Sequence, residues 1–134
     1  PNKTDSFLVV PGVLASGKLV DVYDLVEAAP SFEKPDLLFD TKFKNYRWRK
    51  YLSRVGKKRY KDYRTYYGSF LCDRWNATYG KTDRLTDFNI YRMVEKTKPP
   101  GVASKVVRSR VWRHYCVKDE GDKVEPALKA AGLW

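Results

Sequence analysis

Apolar residues fall in short stripes along the 134-residue chain, separated by glycine and proline. Phe7 to Val10 is a short apolar run that predicts a strand or an extended arm, ended by Pro11-Gly12. Leu19, Val22, Tyr23 and Val26 recur at helical spacing and predict a helix over 17–29, capped by Ser16 and stopped by Pro30. Residues 30–40 hold Pro30 and Pro35 and read as a loop. Asp40 or Thr41 caps the next segment, where Phe43, Tyr46, Leu52 and Val55 form a partial stripe before Gly56. The strongest pattern is Tyr60, Tyr63, Tyr67, Leu71 and Trp75, with steps of three or four residues. Gly68 lies inside it and costs about 1 kcal/mol against alanine, so a kink or an end is expected near it. Thr86 caps a further stripe of Phe88, Ile90, Tyr91 and Val94, and Pro99-Pro100-Gly101 is the clearest break.

Beyond that break, Val107, Val111 and Tyr115 share one helical face, although Val106-Val107 and Val111-Trp112 also fit a strand. Asp122 to Glu125 is a capping-box pattern, and the helix it opens ends at Gly132. The expected fold is mainly α, with four to six short helices in one small unit and extended N- and C-terminal arms. Its parts are an arm over 1–16, a helical body over 17–98, a Pro/Gly linker over 99–103 and a C-terminal segment over 104–134. Burial of such short amphipathic helices leaves little stability for the isolated chain.

Length and composition narrow the class. The chain is too short for two full domains, and two cysteines exclude a disulfide-dense scaffold. Cys72 and Cys116 lack CxxC spacing and read as free thiols of a reducing compartment. A single disulfide across a helical pair is the alternative. The longest uncharged run, 6–17, is interrupted by Pro11 and falls short of the ~20 apolar residues of a spanning helix. Asn76-Ala77-Thr78 is a glycosylation sequon, which matters only in a secretory protein.

Charge changes the picture more. The chain has 27 Lys and Arg against 16 Asp and Glu, a net charge of +11. Residues 1–40 carry 3 basic and 7 acidic groups, whereas residues 41–70 carry 11 basic groups and only Asp62. Seven of the ten tyrosines lie between positions 46 and 79. The candidate partner-binding residues of this basic and aromatic block (41–79) are Arg47, Trp48, Arg49, Lys50, Tyr51, Lys57, Lys58, Arg59, Tyr60, Arg64, Tyr67 and Trp75. Three partners suit the block. Nucleic acid suits it because cations neutralise phosphates and aromatic rings stack on unpaired bases. Other protein subunits suit it because Tyr, Trp and Arg are the commonest interface anchors. Anionic lipid headgroups suit a basic stretch flanked by Trp and Tyr.

Catalytic patterns are incomplete. Gly12 to Lys18 spaces two glycines and a lysine like a phosphate-binding P-loop, but Leu19 stands where the metal-binding hydroxyl belongs. The simpler reading is a turn leading into a helix. His114-Tyr115-Cys116 offers a nucleophile and a base with no partner acid nearby, and a surface His beside a packed Cys is simpler. Asp21 with Asp24, and Asp83 with Asp87, are carboxylate pairs, and Asp87 reads as first-turn charge on a helix. No catalytic or metal-binding residue, cofactor or small-molecule substrate is expected.

In composition the chain resembles the supernumerary subunits of mitochondrial complexes, which are basic and rich in Tyr, Arg and Trp. The likeness is one of class and covers no aligned residues. It implies a non-catalytic accessory subunit of a respiratory-type membrane complex, mitochondrial, soluble or peripheral. The alternative is a nucleic-acid-binding structural protein, an organellar ribosomal protein or a viral coat protein.

Overall fold

The N-terminal run alternates apolar residues on two faces, Phe7, Val9 and Val13 on one and Leu8, Val10 and Leu14 on the other. A strand with apolar residues on both faces is stable only as the inner layer of a sandwich. The computed structural model, which describes residues 4–33, 64–80, 82–96, 98–103, 105–117 and 121–134, places it there. Strands β1 (Thr4–Val9) and β2 (Pro11–Leu14) pair antiparallel with β4 (Leu85–Lys96). The register runs unbroken from Thr4↔Lys96 through Val9↔Tyr91 to Val13↔Asp87, so the two strands form one continuous run. β2 turns back through residues 15–18 into β3 (Leu19–Asp21), and Gly17 takes the positive φ that this turn needs. On its other edge β4 pairs along its length with β5 (Lys105–Tyr115).

Helix α1 (Arg64–Tyr79) covers one face of this antiparallel sheet, where Tyr67, Leu71, Cys72 and Trp75 pack with Val10, Leu14, Val20, Val22, Phe88 and Ile90. Helix α2 (Val124–Ala130) covers the other, where Val124 and Leu128 pack with Val9, Val13, Tyr91 and Met93. The Asp122 carboxylate accepts hydrogen bonds from the Val124 and Glu125 N–H groups, one half of the predicted capping box, while the Glu125 carboxylate pairs with Arg110 instead of closing it; Gly132 takes positive φ past the helix end, as the sequence predicts.

The expected mainly α class is wrong. The described residues hold a five-stranded antiparallel sheet, 38% strand against 25% helix, and two helices. The stripe Leu19, Val22, Tyr23, Val26 is not a helix: Val20 and Val22 are buried two apart, and the segment enters a strand and a tight turn. Residues 88–94 mislead because both faces of β4 are buried, which erases the polar alternation that marks a half-exposed strand. The Thr86 hydroxyl caps no helix and donates instead across the sheet to the Val13 carbonyl. Residues 105–115 take the strand alternative, and the N-terminal arm becomes two strands of the sheet, β1 paired with β4 alone and β2 between β4 and β3. The partial stripe at 43–55 lies outside the described residues.

Helix α1 keeps Tyr67, Leu71 and Trp75 of the predicted stripe, whose Tyr60 and Tyr63 lie outside the described residues, and runs through Gly68 without a break. The glycine is needed for packing. A Cβ there would collide with the ring of His114, which lies against Phe88 with ring centroids 5.4 Å apart. Gly68→Ala therefore lowers stability by about 1–3 kcal/mol. In a His114→Ala background the same change raises it by about 1 kcal/mol, because only helix propensity remains. Thermal melts of the four proteins of this cycle check the change of sign. Burial also lowers the pKa of His114 below 6.5. Its cost appears as pH falls past the unfolded-state value, when the unfolded chain takes the proton first. Stability should decline below about pH 6.5 in the wild type, and less so in His114→Ala.

Candidate functional site

Nine of the twelve predicted partner-binding residues, Arg47, Trp48, Arg49, Lys50, Tyr51, Lys57, Lys58, Arg59 and Tyr60, lie outside the described residues. Two of the other three are not surface groups. Tyr67 and Trp75 are 2% and 0% exposed and form the centre of the core under α1. Tyr67 meets Trp112 edge to face, and Arg64 lies over the same indole, 5.2 Å from its centroid. The helical stripe that marked the block as aromatic is thus the side that α1 buries. Its outward aromatics are Tyr66, 78% exposed, and Phe70, 49% exposed, one turn apart. Neither is among the twelve candidates, although Tyr66 stands in the basic block, because both lie off the stripe. That offset was itself the available signal.

The catalytic look-alikes resolve as packing. Gly12 of the apparent P-loop is buried in β2, where a Cβ would fall 2.5 Å from Val22 and 2.8 Å from Leu85. The loop after it is a hairpin turn, tied down where Ser16 donates through its N–H and hydroxyl to Asp83. Cys116, beside His114, is joined to Cys72 by a disulfide, so the expectation of two free thiols fails. The bond ties α1 to the residue just past β5. Among the described residues no three His, Cys, Asp or Glu side chains gather where a metal ion could sit.

Asp87 is not a helix-end charge. It is 1% exposed in β4, accepts the Lys123 N–H at 3.3 Å, and lies 2.8 Å from the Thr86 hydroxyl, whose one proton it shares with the Val13 carbonyl; burial pushes its pKa upward. A raised carboxyl pKa means that the folded state holds the proton longer than the unfolded chain does. Stability is then full below the ordinary carboxylate range and falls as pH rises through the folded value. Asp87→Asn keeps both contacts, because its amide oxygen accepts from Lys123 and its nitrogen donates to the Thr86 hydroxyl. We expect Asp87→Asn to melt a few degrees higher than wild type at neutral pH and to lose the advantage in acid. Melting curves across pH check this.

A row of arginines marks the α2 side of β5. The Arg110 guanidinium pairs with Glu125 at 3.2 Å and Arg113 with Asp122 at 3.4 Å, so two of the three are committed to the segment that ends in α2. Arg108 differs. Its guanidinium carbon lies 3.9 Å from the Phe32 centroid, 5.5 Å from Trp134 and 5.6 Å from Tyr91. One nitrogen donates to the Leu133 carbonyl at 2.8 Å. Phe32, Glu33, Met93, Val106, Arg108 and Trp134 line an open-sided groove of about 700 Å³. Nothing in the sequence pattern brought Phe32, Arg108 and Trp134 together, since only the hairpin and the C-terminal turn do so.

No helix among the described residues is long and apolar enough to cross a membrane. The mitochondrial, respiratory-complex placement that composition implied gains no support from a fold that is mainly β. No family model, curated protein or solved structure matches the chain.

Proposed function

We propose that this chain is a non-catalytic docking domain that joins a larger protein assembly through its basic and aromatic surface. The observation that carries this reading is the position of Tyr66 and Phe70. They lie on the outer side of α1 and belong, in sequence, to the block of 11 cations against one acid over residues 41–70. Exposed aromatics beside guanidinium and ammonium groups are the composition of interface anchors. Burial of Tyr67 and Trp75 removes two of the rings that base stacking would use, which favours an acidic protein surface over unpaired nucleic acid. The Cys72–Cys116 bond suits an oxidising compartment.

Binding of the whole chain to polyglutamate, to duplex RNA and to phosphatidylserine vesicles, each at about 50 and about 200 mM salt, tests the proposal. Polyglutamate should bind best and weaken with salt. Tyr66→Ala should reduce its affinity about fivefold while leaving the melting temperature within a degree or two, since the ring is 78% exposed. Preference for duplex RNA, with a log–log salt slope near about −5, would replace the reading with a nucleic-acid one. Absence of binding to all three probes would overturn it.

A further inference from the structure

Arg108 is the arginine of its row that has no carboxylate partner among the described residues, although Arg110 and Arg113 on the same strand both have one. Its guanidinium is half-buried among rings. Stacking covers a face of a guanidinium and leaves its N–H edge open to bond in the plane. One of these donors goes to Leu133, and the planar fork suits a carboxylate. The groove in front of it has the size of a small-molecule site, about 700 Å³ where such sites span roughly 300–1,000 Å³. Its other walls are mostly apolar: Phe32, Met93, Val106 and Trp134. Val106 is 44% exposed and Trp134 56% exposed, more open than large apolar groups of a filled groove would be. Lys129, with its Nζ 5.2 Å from the Trp134 ring, adds a second positive charge at the rim. Glu33 lines the groove as well and disfavours a ligand of higher negative charge.

We propose that this groove binds a singly charged amphipathic carboxylate, its acid group on Arg108 and its apolar body against Phe32, Met93, Val106 and Trp134. The site uses none of the basic block and stands independently of the docking reading.

Titration of the whole chain with laurate, dodecanol and dodecyltrimethylammonium tests it, read by calorimetry and by the indole N–H signal of Trp134. Laurate should bind at least about tenfold tighter than the other two and shift that signal. Arg108→Gln should bring laurate down to the affinity of dodecanol. Val106→Glu places a carboxylate on an exposed wall, opposite Glu95 across the sheet, at some cost in stability, and should abolish laurate binding by the folded variant. Equal affinity for laurate and dodecanol would show an apolar trough with no anion site and overturn the proposal. Tightest binding of dodecyltrimethylammonium would do the same, because the rings would then be selecting cations. Undiminished laurate binding by a folded Val106→Glu variant would also overturn it.

Discussion

Replacing Cys72 and Cys116 by alanine lowers the unfolding free energy by about 4 kcal/mol. The bridge joins residues 44 apart, and a closed loop of that length removes conformational entropy chiefly from the unfolded chain. A domain of this size is typically stable by about 5–15 kcal/mol, so the loss takes a large share. Alanine is the suitable replacement because Cys72 is buried in the core under α1, where a serine hydroxyl would need a partner. The native contacts around the bond are otherwise sufficient. The Cys116 N–H donates to Thr86 at 2.8 Å, and α1 still buries Tyr67, Leu71 and Trp75. The double variant should therefore fold at room temperature with an unchanged near-ultraviolet spectrum and unfold at a lower urea concentration. A reducing agent should move the wild-type midpoint to about the same value and leave the variant where it is. Equal midpoints for oxidised and reduced wild type would mean that the bond contributes nothing.

What was legible in the sequence follows from burial on one side. Helix α2 was readable because a carboxylate, a proline and a glycine at its ends act locally. Helix α1 was readable because one face is buried and the other is wet, which leaves a clean stripe. The sheet was not, apart from Phe7–Val10. β4 is covered by a helix on each face, so its apolar residues fall at every spacing and fit a helix as well as a strand. β5 has the reverse defect. It is an edge strand whose many exposed positions carry arginine and valine together, so it lacks a clear period. The docking residues were half legible. Charge located the block, but the aromatic stripe pointed at the core, and the exposed rings beside it lie on the outer side of the helix. The Arg108 groove was not legible at all, because its walls come from a loop, two strands and the last residue of the chain.

Trp75→Ala separates these two roles of an aromatic residue on α1. The side chain is 0% exposed and lies in the cluster that holds α1 on the sheet, with the ring of Tyr79 at 4.5 Å. Removing a fully buried indole leaves a cavity that rigid strands on the facing layer cannot close. A loss of about 3–5 kcal/mol follows, comparable to the disulfide. The sequence had marked Trp75 as a partner-binding residue, whose loss would release the chain from an assembly. The structure reverses that order. Trp75→Ala should lower the denaturation midpoint first, and any weakening of binding should appear only under conditions where the variant has begun to unfold. Tyr66→Ala is the control on the same helix. At 78% exposure it should change stability by less than about 0.5 kcal/mol, so any effect on binding is its own. Urea titrations of both variants decide the matter. If Trp75→Ala kept the wild-type midpoint, this side chain would not be holding α1 on the sheet.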